Sequence, residues 1–376
     1  MSKNTIENEY KVQKEIIQKT KAVVLYGNSI VACIMEKAIK QLSLSNEIYL
    51  FDNGRYLHNK KCKCDSPVVI LCSSRKNTRL SMREDTKDYF ASSAIFDFFA
   101  IYYQWIVSVI KRKCDYNVFA ETLLLCRNEE CIHNIDSINT LYCNLRCKEC
   151  SNGVQYRKSN KRIIKADSQV FYLERMTRYL PICQCNFQGG EVFTDVHFSD
   201  FIEKHATNPR VAIFTIATNG TMLPGDDVFR VIRDTGCMIR ISDYGPVSRK
   251  KADIMAKCEE FNIPCFTFPF AEQWRRFGEY RKRNRPENEL KDIQKKCCFG
   301  THDMMFVDDK IYCCLRTLFA SAVEDSNDAM IANTLDLDSD FTKEQLLSFV
   351  RGDNLWKMCD YCDYPMEVIE PAEQLK

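Results

Sequence analysis

The chain has 376 residues, 53 Lys and Arg against 51 Asp and Glu, a net charge of +2 and 45% hydrophobic residues. This near-neutral balance gives no electrostatic case for nucleic acid or for an anionic membrane surface. No uncharged apolar run reaches the ~20 residues of a membrane span, and no charged–apolar–small pattern marks a secretory signal. Twenty-one cysteines in such a sequence argue against a secreted disulfide framework and for a reducing, cytoplasmic setting in which thiolates hold iron–sulfur clusters.

Residues 1–20 read as a leading helix, 21–26 (KAVVLY) as a strand with a helical pattern to about Leu42, 47–52 (EIYLFD) as a second strand and 67–72 (PVVILC) as a third. Strand–helix–strand with short links predicts parallel pairing and a Rossmann-like sheet over 1–115. Its first turn is a degraded dinucleotide fingerprint. Gly27 opens it, Ser29 and Ala32 stand where the later glycines belong, and Asp52 lies at the distance of the ribose ligand. A serine side chain crowds the approach of backbone to a pyrophosphate, so Gly27 and Asp52 are weak candidates. Residues 75–115 read as mostly helical and rich in aromatics, with Phe96–Ile110 as a buried helix. Residues 116–136 read as a linker.

From 137 to 290 apolar runs alternate with helix-length stretches, the pattern of a parallel barrel sheet. Each run ends on polar residues, where barrel enzymes place their sites. After the first comes Cys143-Asn-Leu-Arg-Cys147-Lys-Glu-Cys150. Three thiolates on one loop can bind three corners of a cubane and leave the fourth iron open for chemistry. Ile182–Phe187 leads into Gly189-Gly190-Glu191, Val211–Ala217 into Thr218-Asn219-Gly220, and Met238–Ile241 into Ser242-Asp-Tyr244-Gly. Glycines admit close backbone approach, Glu191 offers an acceptor for an ammonium group, and Asn219 and Ser242 offer short neutral hydrogen-bonding groups. Cys183 and Cys185 alternate on one strand face and read as core packing; Cys62 and Cys64 lie in a basic turn-like stretch, Lys60–Asp65, with the spacing of a metal pair but no partners for one.

In this order the segments resemble the radical S-adenosylmethionine (SAM) superfamily over roughly 137–290. The resemblance implies a partial (β/α)6 barrel and a [4Fe–4S] cluster on Cys143, Cys147 and Cys150. It implies SAM held by Gly189, Gly190, Glu191, Thr218, Asn219 and Ser242. One departure is Glu149, where the superfamily often has an aromatic residue before the third cysteine. The C-terminal segment 291–376 carries Cys297, Cys298, Cys313, Cys314, Cys359 and Cys362 around a predicted hairpin, Met304–Tyr312, and a C-x2-C knuckle. It resembles the auxiliary-cluster extensions called twitch or SPASM. By register Cys298, Cys314, Cys359 and Cys362 are expected to bind a second [4Fe–4S] cluster, with Cys297 and Cys313 as spares; spacing alone also suits structural zinc.

The function so implied is reductive cleavage of SAM to a 5′-deoxyadenosyl radical that abstracts hydrogen from a small polar substrate, with a nucleotide-activated sugar or glycan precursor as the leading class. Such an enzyme of oxidoreductase or epimerase type needs an external reductant such as flavodoxin or ferredoxin. Tyr244 is a weak candidate for returning hydrogen. The basic run Arg275–Arg285, with Trp274 beside it, reads as a solvated face or as a phosphate contact at the barrel mouth. Two rivals remain: a peptide-modifying enzyme of the same chemistry, and a non-enzymatic redox-responsive iron–sulfur protein, which leaves Glu191 and Asn219 without a role.

Overall fold

The computed structural model describes residues 3–156, 164–269, 274–297, 299–300, 304–323 and 333–375. Helices α1 (Lys3–Thr20), α2 (Ile30–Gln41), α3 (Lys76–Tyr89), α4 (Phe99–Val109) and α5 (Tyr116–Arg127) accompany strands β1 (Ala22–Tyr26), β2 (Glu47–Asp52), β3 (Arg55–Tyr56), β4 (Val68–Leu71) and β5 (Ile95–Asp97). The second half alternates β6 (Ile132–Thr140), α6 (Ala166–Thr177), β7 (Ile182–Gly189), α7 (Phe198–Ala206), β8 (Val211–Thr218), α8 (Asp226–Thr235), β9 (Met238–Asp243), α9 (Lys251–Glu260) and β10 (Cys265–Pro269). Then come β11 (Arg275–Arg276), α10 (Glu287–Lys296), β12 (Met304–Val307), β13 (Lys310–Tyr312), α11 (Leu315–Val323), β14 (Thr334–Asp336), α12 (Lys343–Arg351) and β15 (Glu367–Val368). Among the described residues no helix is long and apolar enough to cross a membrane.

The α/β class and its parallel sheets are as expected. The N-terminal sheet runs β3-β2-β1-β4-β5, with β2, β1, β4 and β5 parallel. Counting only parallel strands the order is 2-1-3-4, the flavodoxin-like winding rather than the 3-2-1-4 of a dinucleotide half. The chain crosses back over β1 after β2, through the hairpin strand β3 and an irregular loop in place of a helix. Strand β5, carrying Phe96 and Asp97, interrupts the stretch read as helical.

The second sheet runs β10-β9-β8-β7-β6-β12-β13-β14. Six of its strands are parallel; five follow one another as β/α units, and the sixth, β12, joins the free edge of β6. The expected sixth barrel strand thus comes from the cysteine-rich segment. The predicted hairpin is β12–β13, turning at Asp308-Asp309. Alternation separates the faces. Ile135, Cys185, Phe187, Phe214, Ile216, Ile239 and Ile241 point into the helix-covered core, as burial of apolar area requires.

The stretch read as a linker instead holds helix α5, capped by the Asp115 carboxylate on Asn117 N and Val118 N, and the first half of β6. Phe119, Ala120, Leu123 and Cys126 of α5 share one core with α1, α2, α4 and with Cys183, Ala212, Ile213 and Met238. Arg112, 5% exposed, ties the halves by donating to the carbonyls of Ala206, Asn208 and Val211 at 2.7–2.8 Å. The apolar spacing of α5 was there to read, but mixed charge around it masked the helix.

Candidate functional site

The cysteine loop leaves β6 over the Gly-Gly-Glu turn of β7. Gly190 N donates to Thr140 O at 2.8 Å and Glu191 N to Tyr142 O at 2.9 Å. A Cβ on Gly189 would meet Thr140 O at 2.2 Å; one on Gly190 would meet Tyr142 O at 1.8 Å and Cys143 N at 2.9 Å. Both glycines are therefore demanded by the entry to the cysteine loop itself, and Gly189 adds a φ of +144°. The Asn152 side chain donates to the Gly189 carbonyl and pins the loop's far end.

Burial pushes the Cys143 thiol up to about 12 and the Cys147 thiol up to about 11, with the neighbouring thiols adding to both. Donors face the sulfurs: Leu145 N at 3.4 Å and Asn219 Nδ2 at 3.7 Å from Cys143, and Gln374 Nε2 at 3.1 Å from Cys147. Among the described residues no three His, Cys, Asp or Glu side chains converge closely enough for a single metal ion. A cubane takes one thiolate per iron, so it asks for neighbouring thiols rather than convergent ones. Three neighbouring thiols, with those of Cys143 and Cys147 raised by burial and met by N–H donors, fit that ligand set. The metal would take the protons' place.

Glu191 is completely buried. Its Oε1 accepts from Thr218 Oγ1 at 2.7 Å and Phe193 N at 3.3 Å, and its Oε2 from Asn219 N at 2.7 Å. Burial raises its carboxyl to about 7 against these donors. Two of these bonds brace β7 against the end of β8 and the third caps the turn at Val192–Thr194, and the sequence offered no sign of that. Asn219 carries the brace onward. It donates to Asn144 Oδ1 at 3.1 Å, and its Oδ1 accepts from Thr221 N at 2.9 Å. Asn144 Nδ2 donates to Thr221 Oγ1 at 2.7 Å. Gly189, Gly190, Glu191, Thr218 and Asn219 are thereby gathered around the cysteine loop.

Ser242, 6% exposed, ends β9 beside them. Its carbonyl and that of Asn219 both accept from Ser248 Oγ, at 3.0 and 2.8 Å. The Tyr244 phenol is hydrogen-bonded to the Ser242 side chain, and burial raises it far above its usual value in the field of Cys147, Cys150 and Cys143. Its ring meets Trp274 edge to face at 5.2 Å. Tyr244 thus looks onto the cysteines.

The inner face of the sheet is polar, and this went unread. Asn186 Nδ2 donates to Asp136 Oδ1 at 2.7 Å and Asn134 Oδ1 at 2.9 Å; Gln184 Nε2 donates to Asn186 Oδ1 at 2.7 Å. Gln188 donates to Asp136 Oδ2, and Arg240 to Gln188 Oε1 at 3.2 Å. The signal was the i, i+2 repetition of amides at 184, 186 and 188 and of 134 and 136.

A second thiol group lies in the C-terminal segment. Cys297, Cys314, Cys359 and Cys362 line one cavity, walled by Phe277, Ile293, Trp356 and Met358. Cys297, held as a spare by register, therefore lines the cavity, whereas Cys298 lies outside the described residues. Cys313, the other spare, is fully buried and bonded to Thr317 Oγ1 at 3.2 Å. Cys314 sits at the start of α11. The Cys313 thiol, then Thr317 and the Arg316 backbone, hold it below the usual thiol range. Arg316 is 3% exposed beside Cys362 and Cys314, its guanidinium fixed on Tyr361 O at 3.0 Å and Gly278 O at 2.8 Å. Four thiols and one buried cation fit an anionic four-cysteine cluster.

Two of the six basic residues of the run are spent on this knuckle. Arg283 pairs with Asp363 at 2.6 Å, and Arg285 Nη1 donates to Cys359 O at 3.1 Å and Cys362 O at 3.0 Å. Arg276 pairs with Glu367 at 2.9 Å. In the N-terminal sheet, Gly27 and Asp52 end adjacent parallel strands. The turn there is closed from within. Ser29 Oγ donates to Cys72 O at 3.0 Å, and a Cβ on Gly27 would meet that carbonyl at 3.0 Å and the Met82 methyl at 3.1 Å.

No family model matches the chain, and no curated protein is similar to it at a significant level. Solved structures are similar in fold. BtrN in complex with AdoMet and 2-DOIA is 14% identical with a TM-score of 0.37, over 64% of this chain and 96% of that one. Native anSMEcpe with bound AdoMet and the Cp18Cys peptide is 13% identical with a TM-score of 0.40, over 62% and 84%. Streptococcus suis SuiB bound to S-adenosylmethionine is 11% identical with a TM-score of 0.33, over 63% and 72%. Each of these three structures holds S-adenosylmethionine.

Proposed function

We propose that this chain is a radical SAM enzyme acting on a small polar substrate. The observation that carries the reading is the gathering, at the ends of consecutive parallel strands, of three adjacent thiols with the Gly189-Gly190-Glu191, Thr218-Asn219 and Ser242 segments. When bound, the cluster and SAM supply a one-electron cleavage that yields a 5′-deoxyadenosyl radical. The protein's own part is to hold and shield. Cys143, Cys147 and Cys150 ligate the cluster. The Glu191–Asn219–Asn144 network fixes the loop that carries them. Gly189, Gly190, Thr218, Asn219 and Ser242 present backbone and short polar groups to SAM, and Tyr244 stands where a hydrogen could be returned. The polar inner face of β6–β9 suits a hydroxyl-rich substrate such as a sugar or nucleotide sugar. An oxidation or an epimerisation is the net reaction in view, with electrons from a flavodoxin or ferredoxin. Cys297, Cys314, Cys359 and Cys362, which line one cavity, ligate the auxiliary cluster. The domains follow as 1–115, 116–136, 137–290 and 291–376, with 116–136 as part of the core instead of a tether.

The test is 5′-deoxyadenosine formation by the anaerobically reconstituted protein with SAM and dithionite. The expected result is product from the native chain and none from the Cys143→Ala/Cys147→Ala/Cys150→Ala variant. Absence of SAM binding by the iron-loaded native chain refutes the reading.

A further inference from the structure

The segment Ala372–Leu375 straps the cysteine loop. Lys148 N donates to Glu373 O at 2.6 Å and Leu375 N to Arg146 O at 2.8 Å, and residues 147 and 374 form an antiparallel bridge. Alternation sends Glu373 outward to an exposed ion pair with Lys148 at 3.5 Å. It turns Gln374, itself exposed, toward the cysteine loop, where Nε2 donates to Cys147 Sγ at 3.1 Å and to Ala372 O at 2.7 Å, while Oε1 accepts from Arg146 N at 2.9 Å. The amide cannot be turned over. That would set its oxygen against a sulfur and a carbonyl, and its NH2 against an N–H. Cys143 receives its donors from Leu145 and Asn219; the donor to Cys147 comes from 227 residues further along the chain.

We propose that Gln374 is a positioning residue of the triad cluster: its amide donates to the Cys147 sulfur and raises the reduction potential of the cluster bound there. The inference rests on the ligand assignment of the proposed function. Reduction adds one negative charge to the cluster, and an N–H donor stabilises the more anionic state. Cys147 is 7% exposed, so little water competes for its sulfur. Removing a hydrogen bond to a charged group should change the ratio of reduced to oxidised cluster at a fixed poise by roughly threefold to tenfold.

The experiment is an EPR-monitored redox titration of the reconstituted full chain, following the signal that the triple cysteine variant lacks. Gln374→Met keeps the length and removes the donor; Gln374→Glu replaces the donor with a carboxylate. Both are expected to load the triad and to lower the reduced fraction, Gln374→Glu the more. In the cluster-free Gln374→Met protein the Lys148 and Leu375 amides are expected to stay protected from hydrogen exchange, because their bonds are backbone to backbone. An unmoved midpoint, failure of both variants to load the triad, or lost protection of those amides overturns the proposal. Absence of any triad signal from the native chain refutes the ligand assignment instead.

Discussion

Glu191 offers the sharpest test of how the site is built. Its carboxyl has no exposure, meets three donors and sits at about 7 in place of 4.5. The folded value of this acid is raised, so its contribution to stability is complete below pH 4.5 and is lost as pH rises through 7. At about 1.4 kcal/mol per pH unit, the loss is about 3 kcal/mol. Glu191→Gln removes the titration. Its single oxygen cannot serve both Thr218 and Asn219 N, so one buried donor is left unpaired at about 1–3 kcal/mol. The variant should therefore be less stable than the native chain at pH 4.5 and equal or more stable at pH 8. The difference between the two proteins should change by about 2–3 kcal/mol over that range. Urea unfolding of the cluster-free, reduced proteins, followed by tryptophan fluorescence, measures it. A difference between variant and native chain that stays constant across that range refutes a buried, strained carboxylate.

Gly190→Ala should cost more than ~3 kcal/mol and abolish iron loading at the triad, because the added Cβ meets only backbone at 1.8 Å; iron content per chain reads it. Cys297→Ala should remove about four irons from the reconstituted protein while Cys313→Ala leaves the count unchanged. Arg285→Ala should destabilise the C-terminal unit by about 2–3 kcal/mol, since two charged hydrogen bonds hold the Cys359 and Cys362 carbonyls; hydrogen exchange at Met358–Asp363 monitors it.

Local order was legible where one spacing has one physical meaning. Apolar runs located β1, β2, β4, β7, β8 and β9 to within a residue or two, whereas β6 begins at Ile132, inside the stretch read as a linker. Turn chemistry located the β12–β13 hairpin. The motif order placed Gly189, Glu191, Thr218, Asn219 and Ser242 at strand ends. Chain partners were not legible, because they depend on which ends meet. Glu191 reads as an acceptor for an ammonium group, and the fold adds bonds to it from Thr218 and Asn219 at the end of β8 and from Phe193 N. The Arg275–Arg285 run reads as a face for phosphate, but Arg283 and Arg285 clasp the C-x2-C knuckle.

The sequence by itself determined that this is an α/β chain with a thiol triad on a strand-end loop, since periodicity and spacing are properties of neighbours along the chain. Tertiary structure alone decided four things. It gave the N-terminal sheet its 2-1-3-4 order and made α5 part of a shared core. It set Cys314 rather than Cys313 at the auxiliary cavity, and it brought Gln374 to Cys147 across 227 residues. Adjacent cysteines have equal claims by register; only the direction in which the backbone turns each side chain separates them.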